Sequence, residues 1–173
     1  LNVISPTWFN VADESGALES RASLEYVERA HELGLEVWGL VANSHPNAAD
    51  VVEIDEVALL KDYTSRTNLI REILRYATEF NLDGINIDFE SLEVECGPYF
   101  IQFLRELAVV CRNNRLVLSV DNYVPADYNA FYDLEEQGKI VDYVIIMAYD
   151  EHYAGSEAGS VASLGFVADA AAN

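Results

Sequence analysis

The residues with the clearest chemical potential lie in one short stretch, residues 82–90, which reads Leu-Asp-Gly-Ile-Asn-Ile-Asp-Phe-Glu. Apolar and polar residues alternate there, and a period of two sends the two sets to opposite faces of a β-strand. The apolar set is Ile85, Ile87 and Phe89. We expect this set to pack against helices. The polar face, with Asp88 and Glu90, would line an interior, where acidic side chains are uncommon unless they have a role.

Asp88 and Glu90 stand two residues apart on that face, which separates them by roughly 6 to 7 Å. Like charges at this range make simultaneous ionisation costly, so one carboxyl tends to keep a proton near neutral pH and can act as a general acid. Glu90 stands at the carboxyl end of the strand, where parallel α/β folds place their chemistry. The pair predicts acid–base catalysis, although a lone Asp-x-Glu is more often a solvated strand end.

A second motif, Met-Ala-Tyr-Asp at residues 147–150, follows a strongly apolar stretch. Together with residues 82–90 it resembles the strand-end motifs of glycoside hydrolase family 18, the chitinase-like (β/α)8 TIM barrels. The sequences of residues 86–90 and 149–153 most resemble a bacterial branch that includes spore-cortex and cell-wall N-acetylglucosaminidases. Two such motifs in this order weigh against the solvated strand end.

The resemblance implies an enzyme that cleaves β-1,4-linked N-acetylglucosamine-containing glycans, either peptidoglycan or chitin. Hydrolysis would be retaining and substrate-assisted, with the acetamido oxygen of the sugar as nucleophile. Glu90 would protonate the glycosidic oxygen and later act as base toward water. Asp88 would orient the acetamide, and Tyr149 would hydrogen-bond its carbonyl. The substrate pocket would also include Asn86, Met147 and Asp150.

Several positions depart from the family pattern. Asn86 stands where many members have Asp, so the proton-sharing chain below Asp88 is expected to be weaker. Ser91 replaces an aromatic residue that often follows the acid, and residues 43–44 lack the Ser-x-Gly-Gly motif. A relative that binds glycans without cleaving them is the alternative, but such relatives usually lose the terminal Glu, and Glu90 is present.

Aromatic side chains could supply flat surfaces on which sugar rings stack. Trp8 and Tyr153 are the principal candidates, and Trp38 and Tyr123 are secondary ones. Aromatic residues in strands more often belong to the core. No cofactor is implied. His45 and His152 lack metal-ligand spacing with other His or Cys residues, so no metal site is expected.

Strands and helices alternate along the chain, which predicts a parallel sheet with right-handed crossovers. The predicted strands are residues 3–9, 35–42, 82–90, 116–121 and 141–148. The predicted helices are residues 21–33 with Ser20 as N-cap, 65–80, 98–113, 128–136 closed by Gly138, and the start of one at 164–172. Residues 10–16 form a polar turn, 43–62 a loop that could hold one helical turn, 122–125 a loop, and 149–165 a long loop beside the site.

Five strands do not close a barrel that needs eight. The resemblance makes them roughly strands two to six of a partial catalytic domain over residues 1–173, so the covered chain would start inside a domain. The strands that begin at Val3 and Val141 would be open edges, and Val144, Ile145 and Ile146 would lack their usual cover. Such a chain is expected to self-associate.

Composition narrows the class of partner. The chain has 173 residues and a formal net charge of −20, which would repel nucleic acid and anionic lipid. No apolar run is long enough to span a membrane, and no signal peptide is recognisable. Cys96 and Cys111 are expected to be free, because about 20 Å of helix would separate them. An extracellular, cell-envelope or spore location is implied by the resemblance alone.

Overall fold

The computed structural model describes residues 2–43 and 54–172. After three short N-terminal strands, helices and strands alternate along these residues, with two consecutive helices between residues 56 and 79. The strands are β1 (Val3–Ile4), β2 (Thr7–Val11), β3 (Leu18–Ser20), β4 (Glu36–Ala42), β5 (Gly84–Asp88), β6 (Val117–Tyr123) and β7 (Tyr143–Met147). The α-helices are α1 (Leu24–Glu32), α2 (Glu56–Lys61), α3 (Tyr63–Glu79), α4 (Gly97–Asn114), α5 (Leu134–Ile140) and α6 (Leu164–Ala172).

One sheet holds all seven strands, in the order β3-β2-β4-β5-β6-β7, with β1 paired to β4. The pairs β2–β4, β4–β5, β5–β6 and β6–β7 are parallel. The strands β2, β4, β5, β6 and β7 therefore form one run of parallel neighbours. Because parallel strands present their carboxyl ends at the same edge of a sheet, the polar residues that end these strands meet there.

The prediction for the first strand is wrong in two respects. Residues 3–9 form two strands instead of one, because the segment around Pro6 interrupts pairing and both β1 and β2 then pair with β4. The polar turn after β2 also sends the chain back as β3, antiparallel to β2. Gly16 makes this turn possible, since it adopts φ +83°. β3, and not the strand at Val3, is thus the edge on that side.

The core lies between the sheet and its helices. Ile85 and Ile87 are fully buried and Phe89 is 1% exposed, as the alternation predicts. Phe89 stacks on Phe103 of α4 at a centroid distance of 5.7 Å. Arg66 of α3 joins three helices, because its guanidinium donates to Glu106 of α4 at 2.8 and 3.0 Å and to the carbonyl oxygen of Leu60 in α2 at 2.7 Å. The helix layer is therefore fixed by polar as well as apolar contacts.

Capping residues and glycines set most helix ends. The predicted helix ends differ from the structure where another residue forms the cap. The N-cap of α1 is Ser23, not Ser20, and Gly34 follows the helix at φ +73°. The predicted helix 128–136 is wrong: a 3-10 helix at Asp127–Tyr132 is followed by α5, which contains Gly138. Asp133 separates them, because it adopts φ +51° and its carboxylate caps α5.

Two of the predicted loops are partly strand or helix in the structure. Residues 122 and 123 extend β6 instead of forming a loop, and α2 occupies residues 56–61 of the predicted loop 43–62, of which residues 44–53 lie outside the described ranges. Cys96 and Cys111 are buried and free, as predicted. No helix in the described part of the chain is both long and apolar enough to cross a membrane.

Candidate active site

The candidate site lies on the inner face of β5 and its two neighbours. In register, Asp88 pairs with Ala42 of β4, and Asn86 pairs with Ser119 of β6. The same face continues across β6 through Asp121, whose partner on β7 is Ile145. Asn86 is 2% exposed, so the polar side chains on this face begin in the interior and continue toward the carboxyl edge of the sheet.

The pKa of Asp88 departs far from its ordinary value. Burial, followed by the negative charges of Glu90 and Asp121, raises the pKa of Asp88 to about 7. Burial also raises the pKa of Asp121, together with the charge of Glu90, while a hydrogen bond from Asn86 acts in the opposite direction. An acid that titrates near neutral pH can exchange a proton under physiological conditions, which is what acid–base chemistry requires.

Asn86 connects the two strands through side-chain hydrogen bonds. Its Nδ2 donates to Asp121 Oδ2 at 2.8 Å, and its Oδ1 accepts from the Ser119 hydroxyl at 2.7 Å. These two contacts fix which end of the amide faces each partner, because rotating the amide would set oxygen against oxygen. The inner face therefore has a defined polar layer directly below Asp88.

Glu90 is held from both sides. Its Oε2 accepts a hydrogen bond from the Tyr123 hydroxyl of β6 at 2.8 Å. Asn43, which directly follows β4, clamps the Glu90 backbone: the Glu90 N–H donates to Asn43 Oδ1 at 2.9 Å, and Asn43 Nδ2 donates to the Glu90 carbonyl at 2.9 Å. Asn43 is buried, and its Nδ2 also reaches Glu56 Oε1 at 2.8 Å. The carboxylate position is therefore set by two neighbouring strands.

The backbone after Glu90 is tied down by two tyrosines. The Tyr132 hydroxyl donates to the Phe89 carbonyl at 3.1 Å and accepts from the Leu92 N–H at 3.2 Å. The Tyr123 hydroxyl accepts from the Ser91 N–H at 3.2 Å. Ser91 adopts φ +55°, so the chain turns sharply away directly after Glu90. Glu90, two residues beyond the end of β5, is therefore the last residue before the chain turns away from the site.

Met147, Tyr149 and Asp150 follow at the carboxyl end of β7. The Tyr149 hydroxyl donates to Met147 Sδ at 3.0 Å. Burial first, and then the negative charges of Glu90, Asp88, Asp121 and Asp150, raise the pKa of Tyr149. The phenol therefore keeps its proton and lies within the electric field of the acids. Asp150 adopts φ +59°, which turns the chain into the following loop.

The family pattern described as "Glycosyl hydrolases family 18" matches residues 57–172, which is more than half of the chain. The chain belongs to glycosyl hydrolase family 18. The matched segment contains Asp88, Glu90 and Tyr149, and it extends from α2 to the end of α6.

Individual family 18 proteins agree with this assignment. The sporulation-specific glycosylase YdhD of Bacillus subtilis is 36% identical over 112 residues, which cover 61% of this chain and 26% of YdhD. The cortical fragment-lytic enzyme of Bacillus subtilis is 30% identical over 118 residues, which cover 64% of this chain and 27% of that enzyme. These relatives carry the names of a glycosylase and a lytic enzyme, so the chain is similar to glycosidases.

Solved family 18 structures show the fold. The crystal structure of YdhD superimposes with a TM-score of 0.85 at 25% identity, covering 97% of this chain and 56% of the crystallised chain. The C-terminal domain of a chitinase from Desulfitobacterium hafniense superimposes with a TM-score of 0.82 at 24% identity, covering 99% of this chain and 53% of that chain. The chain therefore forms part of a TIM barrel, as predicted, and it spans between a quarter and about half of these relatives' lengths.

The predicted sugar-stacking residues lie in different settings. Trp8 is half-buried and packs edge-on against Tyr26 of α1 at a centroid distance of 5.2 Å. Its strand neighbour Asn10 shares the layer of Ala42 and Asp88, so Trp8 stands below the acids. Tyr153 is exposed in the loop after β7. Contact of either ring with a sugar stays a prediction, and the packing of Trp8 on Tyr26 favours a structural role for that ring.

Two residues from the motif region, Asp83 and Gly84, have structural roles. Asp83 organises the start of β5, because its Oδ2 accepts from the Val37 N–H at 2.8 Å and lies 2.8 Å from His31 Nε2. Gly84 permits close approach, since a Cβ there would lie 2.7 Å from the Trp38 ring. Trp38 fills this space and contacts Tyr143 of β7 at a centroid distance of 5.4 Å, so it forms the floor below the polar layer.

Sequence reasoning missed three features of the site. Asp121 was assigned only to a strand, Tyr123 was considered for stacking and not as a donor to Glu90, and Asn43 was placed in a loop. All three lie at or near the carboxyl ends of strands that flank β5, and that position was the available signal. In the described residues, no group of three or more His, Cys, Asp or Glu side chains is arranged to hold a metal ion, and His45 lies outside them.

Proposed function

We propose that this chain carries the catalytic residues of a retaining, substrate-assisted glycosidase that cleaves β-1,4-linked N-acetylglucosamine-containing glycans. The observation that carries the proposal is the ordered pair of Asp88 and Glu90 at the carboxyl end of β5, with Glu90 hydrogen-bonded by Tyr123 at 2.8 Å. In this proposal, residues 1–173 form one continuous part of the catalytic domain.

The proposed reaction begins with proton transfer from Glu90 to the glycosidic oxygen. The C1–O bond breaks as the acetamido oxygen of the same sugar forms a bond to C1, which gives a positively charged oxazolinium ring and releases the remaining glycan as an alcohol. Glu90 then removes a proton from water, which attacks C1 and opens the ring. Two inversions at C1 retain the anomeric configuration.

Asp88 and Tyr149 would act on the acetamide during these steps. A carboxylate at Asp88 stabilises the positive charge of the ring by electrostatic attraction, which is strong in a site screened from water. The Tyr149 hydroxyl, whose pKa is raised, would exchange its weak acceptor Met147 Sδ for the acetamide carbonyl and donate to it. Asn86, Met147 and Asp150 would shape the surrounding pocket, and Trp8 and Tyr153 are further candidates for sugar contact.

Peptidoglycan of the cell wall or spore cortex is the substrate that we propose first. It rests on the names of the cortical fragment-lytic enzyme and the sporulation-specific glycosylase, and it implies action at the cell envelope or spore. The net charge of −20 is compatible with a neutral N-acetylated glycan and disfavours a polyanion, and it does not rank peptidoglycan against chitin. Chitin shares the same linkage and acetamido group, so it is the second candidate.

The proposal is tested with a form of the protein that contains all eight barrel strands. Purified spore cortex and defined N-acetylglucosamine oligomers are digested in parallel with their de-N-acetylated counterparts, and the products are analysed by mass spectrometry. We expect cleavage of the N-acetylated substrates alone, with retention of configuration. Equal rates on de-N-acetylated substrates would contradict substrate assistance, and faster cleavage of chitin oligomers than of cortex would reverse the order of substrates.

A further inference from the structure

Two carboxyl oxygens on neighbouring strands lie buried without a hydrogen-bond donor. Asp88 Oδ1 and Asp121 Oδ1 are both screened from solvent, and neither accepts a hydrogen bond from any residue in the described ranges. Leaving a buried acceptor unsatisfied costs about 1 to 3 kcal/mol, and more for a charged group. This cost falls if one of the two carboxyls carries a proton.

Asn86 holds Asp121 in a fixed orientation. Its Nδ2 donates to Asp121 Oδ2 at 2.8 Å, while its Oδ1 is occupied by the Ser119 hydroxyl at 2.7 Å. The amide therefore satisfies one oxygen of Asp121 and leaves Oδ1 without a donor. The second Nδ2 hydrogen of Asn86 makes no hydrogen bond to Asp88 Oδ1, which has no donor in the described ranges.

The charges around the two carboxyls are all negative. Burial first, and then the negative charges of Glu90, two residues along the chain, and of Asp121 on β6, raise the pKa of Asp88. Burial and the same three carboxylates raise the pKa of the Tyr149 hydroxyl, in the loop after β7. The register partners on the outer sides, Ala42 of β4 and Ile145 of β7, carry no charge. Within the described part of the chain, no Lys, Arg or His contributes to the pKa of either carboxyl.

We propose that Asp88 and Asp121 share one proton between β5 and β6, so that Asp121 is a positioning residue for Asp88. Two interacting acids of this kind release their protons in steps that belong to the pair and not to either residue. The pKa of each carboxyl is raised, chiefly by burial, which agrees with a pair that retains one proton near neutral pH.

If the proposed function holds, the pairing also provides an acceptor for the proton when Asp88 ionises. A positive charge that develops beside Asp88 favours the ionised form of Asp88. The shared proton then stays with Asp121 on the neighbouring strand β6. The weaker proton-sharing chain expected from Asn86 is thus replaced: the second carboxyl comes from the next strand instead of from residue 86.

The sharing itself is tested without any substrate, in the form of the protein that contains all eight barrel strands. Side-chain carboxyl carbons of aspartate are labelled with ¹³C and followed by NMR as a function of pH, with circular dichroism as the check of folding. We expect the Asp88 and Asp121 signals to shift together in one step near neutral pH. Asp121→Asn should move the Asp88 step to lower pH by about one unit or more, and Asp88→Asn should do the same to Asp121.

Asp127→Asn is the matched control, because Asp127 is exposed on the segment that follows β6. It should leave both signals unchanged. Independent titration of Asp88 and Asp121, with each unaffected by loss of the other, would overturn the proposal.

A double variant separates the carboxyl from its structural role. Asn86→Asp combined with Asp121→Asn exchanges the two groups and keeps one amide donor facing one carboxylate across the strands. If a second carboxyl beside Asp88 is what matters, this variant regains the near-neutral step that Asp121→Asn loses. A double variant that folds but lacks the near-neutral step would contradict the proposal, and this criterion holds even if Asp121→Asn alone fails to fold.

Activity provides a separate readout in the eight-stranded form. Asp121→Asn should move the pH profile of kcat/KM to lower pH, whereas a purely structural loss would lower activity by the same factor at every pH. The absence of hydrolysis in the unsubstituted protein would count against the proposed function and leave the NMR result standing. A pH profile of unchanged position in Asp121→Asn would count against proton sharing.

Discussion

At Asp88, burial and two neighbouring negative charges turn an ordinary carboxyl into a group that titrates near neutral pH. Its pKa is raised to about 7, first by burial and then by Glu90 and Asp121. The ordinary value in an unfolded chain is about 4. The folded state therefore binds this proton more tightly than the unfolded state. Stability from this group is present at low pH and is lost as the pH rises from about 4 to about 7.

Asp88→Asn should remove this pH dependence, because the amide has the same shape and no charge. We expect the free energy of unfolding of Asp88→Asn, relative to the unsubstituted chain, to increase by about 2 to 4 kcal/mol between about pH 4.5 and pH 7.5. Urea unfolding at a series of pH values measures it, with the exposed Asp127→Asn as control. A difference that is constant across this range would show that Asp88 has an ordinary pKa.

At the scale of elements, the position of Glu90 depends on a residue from the neighbouring strand. Asn43 accepts from the Glu90 N–H and donates to its carbonyl, both at 2.9 Å, and it is buried. Removing the Asn43 side chain leaves both Glu90 backbone groups without these partners. The end of β5 would then be free to move relative to β4.

We expect Asn43→Ala to lower the free energy of unfolding by about 2 to 3 kcal/mol, because buried backbone groups lose their partners. Asn114→Ala is the matched control: Asn114 makes one exposed hydrogen bond to the Val110 carbonyl at the end of α4. Its loss should cost less than about 0.5 kcal/mol. Urea unfolding of both variants decides the matter, and equal effects would remove Asn43 from this role.

Elements with a strong local pattern could be predicted from the sequence. The alternation around Ile87 defined β5, and Gly34 marked the end of α1. Interactions between elements could not, because they depend on strand register and not on neighbours in sequence. Asp121 meets Asn86 only because β6 pairs with β5 with Asn86 opposite Ser119. Likewise, the left-handed Asp133 divides a helical pattern in two, since its capping contact replaces continuation of the helix.

For the whole molecule, the sheet has an open edge at β7. Among the described strands, β7 pairs only with β6. Ile145, on the inner face, is 39% exposed, and Tyr143 on the same face is 55% exposed. Val144 packs against the core and Ile146 is half-buried. Of the three residues expected to be uncovered, Ile145 on the inner face is therefore the exposed one. Unpaired backbone groups beside exposed apolar side chains favour pairing with another chain.

We expect the 173-residue chain to self-associate at micromolar concentration, more strongly as salt rises, since salt screens the repulsion between chains of charge −20. Sedimentation velocity measures the association. Ile145→Lys should weaken it, whereas Val109→Lys, which adds the same charge at an exposed position of α4, should not. A monomer at all salt concentrations would show that the β7 edge is protected.

The most direct test of the account is Glu90→Gln in the form of the protein that contains all eight barrel strands. The change removes the transferable proton and keeps the size and hydrogen-bonding capacity of the side chain. Cleavage of N-acetylglucosamine oligomers is followed by mass spectrometry, and binding of the same oligomers is measured by calorimetry. We predict that turnover falls by about 10²-fold or more while binding changes little. Turnover above a few per cent of the unsubstituted rate would contradict the role of Glu90 as the catalytic acid.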